Sequence, residues 1–534
     1  MSGKPKKAPL TAGDSQVLLA GRKFIRRNLL IFSVVAAVLG ALVIIKTFAA
    51  SPETANLWIG SAGSCTRSAT KIDYSTALAN GWTCSTFGAA YSSASNSTPD
   101  TVMIMAGSYA AFSPTTKSVR VTFKAAAGQS VALAQSSFGS GSKNVTLDGL
   151  TIHGIDGGAQ VQNGFIKDLT IQNSTIDGQV MIRTNDGSNL NILIDHNKFM
   201  PWDRDFNGSP AEGRLSIAWP GGPNNQPDSG VTVSNNEFVG PGCSDGMQLG
   251  AAAVQVIGNT LHGITQNSQG VDCANTSSGA HVDAIQIYGA ERTLFKDNVL
   301  YGNTTGIINY NGGAGDIAIN NAIRSTERDD EALGLGGETS PVIKHNYVEG
   351  WINVMGSTSS VVQDNVAGSI WIKCPPQSDF GNNCGPVGTL AVNDYNLITD
   401  TSYDNSPSGA YYNRVAQLGP HSIHGSPTLT SAAFTDLIGA QLKSTSLGYN
   451  SASDGTSIGV GPTGSGGSGT PSDSTPGDVN GDKRVGILDL SLILSNFGKT
   501  TATWTEPRCD TNGDGKVTIV DLSVVLSKYG TTYP

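Results

Sequence analysis

The sequence predicts an all-β solenoid followed by a small helical, cation-binding module, and three observations predict it. A short phrase returns between about residues 189 and 367: an apolar residue, two polar ones, an asparagine, any residue, an apolar residue. It reads Ile194-Asp-His-Asn197-Lys-Phe199, Val233-Ser-Asn-Asn236-Glu-Phe238, Val256-Ile-Gly-Asn259-Thr-Leu261, Phe295-Lys-Asp-Asn298-Val-Leu300, Ile343-Lys-His-Asn346-Tyr-Val348 and Val362-Gln-Asp-Asn365-Val-Ala367. The asparagines are spaced by 23 or 39 residues in the regular part, which gives a rung of about 23 residues and insertions of about 16 in some rungs. Near the C-terminus an acidic loop is duplicated at an offset of 32 residues.

A repeat this short has too few apolar residues to close a core alone and must bury its apolar side against its neighbours. Gly, Asn, Asp and Ser interrupt the alternating runs before a helix could form, so each rung reads as short strands and tight turns. Asparagine suits such a turn, because it tolerates the left-handed conformation and its amide both donates and accepts. Stacked rungs then build an internal asparagine ladder. The pattern resembles the right-handed parallel β-helix, the family of pectate lyases, polygalacturonases and many surface proteins.

Residues 1–28 are basic, with Lys4, Lys6, Lys7, Arg22, Lys23, Arg26 and Arg27, and an uncharged apolar run fills Leu29 to Ile45. The charge bias places the N-terminus in the cytoplasm and the remainder outside. Residues 29–50 are either a membrane anchor or a signal peptide cleaved near Thr47-Phe-Ala-Ala50. Without residues 1–49 the chain keeps 25 basic and 41 acidic residues, a net of −16. Such an acidic, glycine-rich chain is expected not to bind nucleic acid.

Residues 51–450 form the solenoid. Asn56-Leu-Trp-Ile-Gly60 reads as a first strand, Thr86 to Ala94 as a short amphipathic helix, and Asp100 to Tyr109 as a strand and turn. This order resembles the N-terminal cap of β-helix proteins, assigned to residues 51–110. A cap is required, since the first rung otherwise exposes an open core and an unpaired edge. Val145 to Ile152 and Ile166 to Ile171 follow as rungs in which Leu150 and Ser174 hold the ladder position. The pattern becomes irregular after Trp371 and fades near Tyr449.

Residues 451–476 are a Gly/Ser/Thr/Pro linker with nothing to bury. In the last segment, 477–534, Asp478, Asn480, Asp482 and Asp489 stand at positions 1, 3, 5 and 12 of a twelve-residue loop, and Arg484 offers its carbonyl at position 7. Asp510, Asn512, Asp514, Lys516 and Asp521 repeat the arrangement. This oxygen donor set suits Ca²⁺, with two sites expected. Helices are expected at Leu490 to Phe497 and Leu522 to Tyr529. The duplicated loop-helix unit resembles a type I dockerin, whose family partner is a cohesin. Lys483 replaces the glycine of the sharp turn, which weakens the first site. Ile487-Leu488 and Ile519-Val520 fill the positions that contribute to cohesin choice in that family. The two similar apolar pairs fit binding in either orientation or packing against the chain's own body.

Seven cysteines without CxxC spacing fit an oxidising compartment. Proximity pairs Cys65 with Cys84, Cys243 with Cys273 and Cys374 with Cys384, leaving Cys509.

Candidate chemistry sits at matching places in successive rungs: Glu212, Asp245, Asp283 and His281. Two neighbouring carboxylates raise one pKa, as a general acid requires, or share a cation. Parity places Asp245 and Asp283 inward or in the bend before a strand, where a carboxylate also serves as a backbone acceptor. The same parity gives an outward row of Arg183, Arg214, Gln248, Gln286 and Asn309, which suits sugar hydroxyls or a solvated face. Ile194-Asp195-His196 resembles a pectate lyase phrase without the arginine motif of that family. Gly336-Gly337-Glu338-Thr339 resembles part of an alginate lyase motif, without its following arginine. His196 and His345 read as turn residues.

The two resemblances together imply a carbohydrate-active surface protein acting on a polysaccharide or surface glycan. Hydrolysis is favoured over elimination, with Asp283 and Asp245 as acid and base and Glu212 and His281 assisting. The alternative is a non-catalytic adhesin or glycan-binding protein on the same scaffold.

Overall fold

The computed structural model describes residues 52–461 apart from 140, 158–165, 185–188, 203–212, 219–225, 266, 269–270, 273–281, 310, 325, 327–331, 374–386 and 401–413, together with scattered residues from 477 to 531. The basic and apolar N-terminal segments and the stretch 462–476 lie outside the described residues. No helix among the described residues is long and apolar enough to cross a membrane.

The strands stack into a parallel β-helix. A 13-stranded sheet runs from Leu57–Ile59 to Leu390–Asp394, and a 21-stranded sheet forms two further columns that merge in the long strands Tyr347–Asn353 and Val366–Trp371. One rung supplies Val231–Ser234, Glu237–Val239 and Met247–Leu249, one strand to each face. Because side chains alternate, the same positions of each strand point inward in every rung. Ile171, Ile194, Val233, Val256, Phe295, Ala318, Ile343 and Val362 stand in register and are 0% exposed. Each contributes about 1.5–3 kcal/mol of burial if its bulk is Val-sized or larger, and together such rows make one continuous core.

The asparagine ladder runs Ser174, Asn197, Asn236, Asn259, Asn298, Asn321, Asn346, Asn365, Asn396. Each amide oxygen accepts the main-chain N–H of the previous rung's ladder residue, as at Asn236 N to Asn259 Oδ1, 2.9 Å. Each amide nitrogen donates to a neighbouring oxygen, as Asn236 Nδ2 does to Ile194 O at 2.9 Å. One expectation is corrected: the left-handed residue is the one before the ladder asparagine. His196, Asn235, Gly258, Asp297, Asn320, His345 and Asp364 hold φ between 52° and 67°. The ladder residue itself is free to turn its amide along the axis.

The N-terminal cap closes the first rung. The helix Phe87–Ser93 starts at Thr86, whose Oγ1 accepts the Ala89 amide at 3.0 Å. Phe87 and Tyr91 pack onto Phe112 and Phe123, with the Phe87 and Phe123 centroids 5.0 Å apart. A second helix, Tyr74–Ala79, was not expected; Asp73 caps it. Cys65 and Cys84 are bridged, as proximity predicts. Cys243 is also disulfide-bonded, while Cys273, Cys374 and Cys384 lie outside the described residues.

Where the repeat fades, the chain leaves the coil and lies against its flank. Leu429, Phe434, Leu437, Ala440, Leu442 and Val460 cover Val299 and Ala322. Arg324 sits over both the Tyr301 and Phe434 rings, at 5.6 and 5.4 Å. In the C-terminal module Val479, Val485, Ile493, Cys509, Val517 and Val525 form a core, with a helix at Ile519–Lys528.

Candidate functional site

Asp245 and Asp283 stand at the bend before consecutive strands, each 1% exposed. Asp245 Oδ1 accepts the Asp283 amide at 2.8 Å, and Asp283 Oδ1 accepts the Thr305 hydroxyl at 2.8 Å. Their carbonyls accept the Arg214 and Gly246 amides, each at 2.9 Å. The glycine after Asp245 has a steric cause, for a Cβ on Gly246 would come within 2.5 Å of Ala284 O. These carboxylates join rung to rung inside the coil, so the acid and base roles expected for them do not fit: neither reaches a glycosidic oxygen lying on the outer surface. Glu212 and His281 lie outside the described residues.

The outward row needs two corrections. Gln248 and Gln286 face each other on adjacent strands, with Gln248 Nε2 donating to Gln286 Oε1 at 3.0 Å. The same row continues through Ser216 and Ile308. Asn309 falls one residue off it, in register with Ile287, and is 0% exposed, because a one-residue step moves a side chain to the other face. Arg214 has outward parity but precedes its strand and is 0% exposed, with Nη2 donating to Pro241 O at 3.2 Å. Arg183 remains on the surface, two residues along the strand from the Gln row and on the same face.

Arg183 lines an open groove of about 420 Å³ with Gln135, His153, Asp177, Gln179 and Trp202. His153 and Asp177 follow Ile152 and Ile176, which pair across adjacent rungs. The stacking brings His153 Nδ1 to 3.2 Å from Asp177 Oδ2, with side chains 46% and 53% exposed. Gln179 is held by its amide, which donates to Gly213 O at 2.7 Å. An aromatic face, a guanidinium, two amides and an imidazole thus surround one open space. Indole faces stack on apolar faces of ligands, and the fixed polar groups select orientation. Apart from Arg183, sequence reasoning missed these residues. The available signal was the equivalent placement of His153 and Asp177 directly after two rung-closing isoleucines.

Of the cation-loop residues, Asp489 and Asp521 are described, and both are 0% exposed. Asp489 Oδ1 accepts the Val479 amide at 2.7 Å, so the carboxylate at position 12 reaches back to the residue at position 2. A buried carboxylate at position 12 of each loop fits a hard divalent cation. Asp478, Asn480, Asp482, Arg484, Asp510, Asn512, Asp514 and Lys516 lie outside the described residues.

Other singled-out motifs take structural places. Asp195 accepts from Ser234 and Asn235 and pairs with the His196 ring at 2.7 Å. Glu338 is buried at 1% exposure, away from the surface.

Comparison with known proteins gives one match along the sequence: residues 476–528 match the Dockerin type I domain. No curated protein matches. Among solved structures, the PL6 family alginate lyase AlyGC is similar at 12% identity over 70% of this chain and 58% of its own, TM-score 0.36. A PL6 alginate lyase in complex with a trisaccharide is similar at 15% identity over 69% of this chain and 80% of its own, TM-score 0.38. The pectate lyase Pel9A is similar at 11% identity over 76% of this chain and 93% of its own, TM-score 0.24. The chain thus spans less than two thirds of the length of the first of these.

Proposed function

We propose that this chain is an exported carbohydrate-active protein that binds a polysaccharide along the outer face of its β-helix and is tethered through its dockerin module. The groove lined by Trp202, Arg183, Gln179 and the His153–Asp177 pair carries the reading. A sugar ring stacks on the indole while its hydroxyls meet the amides and the guanidinium. The outward Gln248–Gln286 pair continues this polar track on later rungs, which suits an extended chain rather than a compact ligand.

The dockerin match supports a cohesin-like partner outside the cell, held when Ca²⁺ fills the two loops. When bound, the cation supplies positive charge that neutralises the loop carboxylates and fixes the loops on the helices. Asp489 and Asp521 would close the two sites, and the remaining loop residues would complete them.

A second reading adds cleavage, and the His153–Asp177 pair favours it. An imidazole oriented by a carboxylate and open to a groove is suited to moving a proton. Hydrolysis by two facing carboxylates needs them about 5–9.5 Å apart, and Asp177 is the one carboxylate among the described lining residues of the groove.

The test is to incubate the exported chain, with Ca²⁺, against a panel of polysaccharides. Retention on a glycan, weakened by Trp202→Ala, supports binding; fragments lost in His153→Ala with binding kept support cleavage. Retention that ignores both substitutions overturns the assignment of the groove.

A further inference from the structure

The Gly336-Gly337-Glu338-Thr339 turn carries a carboxyl for which the groove has no use. Glu338 is 1% exposed and Asp316, on the neighbouring rung, 0%. The two carboxyls are neighbours in the interior, and each acts on the other's protonation. One oxygen of each is already engaged. Asp316 Oδ1 accepts the Thr293 amide at 2.8 Å, and Glu338 Oε1 accepts the Asn309 amide group at 2.7 Å. The remaining oxygens, Asp316 Oδ2 and Glu338 Oε2, are buried with no donor among the described residues. Two ionised carboxylates have no hydrogen to place between them, and unpaired charge in the interior is costly.

Among the described residues no cation acts on the pair. From the preceding rung Glu291, 4% exposed, adds a like charge. Arg292 is engaged elsewhere, with Nη1 on Glu291 Oε2 at 3.0 Å and Nη2 on Asp228 Oδ1 at 3.1 Å. From the following rung the Ser357 hydroxyl accepts the Glu338 amide at 3.0 Å and brings no charge. Among the described residues no group of three or more His, Cys, Asp or Glu side chains is placed to hold a metal ion.

We propose that Asp316 and Glu338 share one proton, and that this proton is a pH-sensitive lock on the corner joining Ile307–Asn309, Gly313–Ala314 and Glu338–Thr339. The lock also accounts for Asn309, which is turned into the coil to donate to Glu338 instead of facing a ligand. Burial pushes Asp316 up to about 7. Burial, and then the neighbouring Asp316 charge, hold Glu338 well above the ordinary carboxylate range. The proton belongs to the pair. An unfolded corner releases it near the usual carboxylate values, about 4, whereas the folded corner keeps it to higher pH. Stability of the corner is therefore greatest in acid and falls as pH rises toward the raised values. For one retained proton, the local opening constant rises about tenfold per pH unit in that window.

Hydrogen exchange followed by mass spectrometry on the full chain tests this, in peptides covering 307–319 and 333–344, between about pH 5 and pH 8 and corrected for intrinsic rates. Wild type is expected to open about tenfold more per pH unit. Glu338→Gln is expected to lose that slope, because its amide still donates to Asp316 and still accepts from Asn309. Asp316→Asn reads the same slope from the other partner if the first variant does not fold. A slope shared by wild type and variants, or no slope in wild type, overturns the lock. Opening of these peptides by a chelator at pH 7 in wild type but not in Glu338→Gln also overturns it, since a cation would then bridge the oxygens.

Discussion

Asp245 Oδ1 accepts the main-chain amide of Asp283 at 2.8 Å, so these two aspartates are stitched to each other across a rung boundary within the coil. The relationship is one of architecture. Asp245→Ala leaves the Asp283 amide buried without its partner, which costs about 1–3 kcal/mol. Asp245→Asn keeps an acceptor and costs less. Urea unfolding is expected to rank the three proteins in that order, while glycan retention by the folded fraction stays unchanged. Retention that falls with Asp245→Asn at full stability would return this carboxylate to the binding site.

Asn259 occupies the middle of the ladder. It accepts the Asn236 N–H and Nδ2, both at 2.9 Å, and donates to Val233 O at 2.9 Å and Asn298 Oδ1 at 3.1 Å. Asn259→Ala removes all four and orphans buried groups, so a loss of about 3 kcal/mol is expected, above the net ~1 kcal/mol of a single hydrogen bond. Thermal unfolding of the variant checks this, and a loss no larger than that of an exposed asparagine would refute the ladder's role.

The repeated phrase made the coil legible because stacked rungs impose the same demand at the same place: an inward apolar side chain and a bonded turn. Ile194, Val233, Val256 and Phe295 were found that way and stand in register. The phrase placed asparagine but not the left-handed slot before it, which His196, Asn235 and Asp297 all accept. The outer face was less legible, since nothing in the interior constrains it. Asn309 was assigned outward by one residue of misjudged register, and Arg214 was covered although its parity was right. Trp202 belongs to no repeat, and His153 and Asp177 share a rung position that the asparagine phrase does not mark; stacking brings all three to one groove.

The C-terminal flank should release in acid. Asp364 accepts the Ser453 amide and hydroxyl, each at 2.6 Å, and His345 lies 3.3 Å from Asp454. Burial alone would raise the Asp454 pKa, but the Thr456 hydroxyl and amide and then the His345 charge outweigh it and hold it below its usual 3.8. Its contribution is therefore present above 3.8 and lost as pH falls through the lowered value. Pepsin nicking near residues 440–460 is expected to begin only below about pH 4 in wild type. Asp454→Asn should be nicked already above that. Equal nicking of both proteins would remove the clamp.

Chelation should act on the module and spare the coil. Without Ca²⁺ the carboxylates of each loop repel, and the helix Ile519–Lys528 loses the loop that starts it. Hydrogen exchange is expected to rise across residues 477–534 after EDTA treatment, with strands such as Val231–Ser234 unchanged. The first loop, with Lys483 at its sharp turn, should release its cation at the lower chelator concentration. Unchanged protection of the helix Ile519–Lys528 would contradict cation-dependent folding.

The most direct measurement of the central claim is the affinity of the exported chain for a retained polysaccharide, in Ca²⁺, beside Trp202→Ala, Arg183→Ala and Asp245→Asn. The account predicts at least tenfold weaker binding for the first two, the cost of about 1.4 kcal/mol expected when an aromatic or arginine anchor is truncated, and unchanged binding for Asp245→Asn. Binding that survives the loss of Trp202 and Arg183, or that disappears with Asp245→Asn, would contradict a glycan seated in the surface groove.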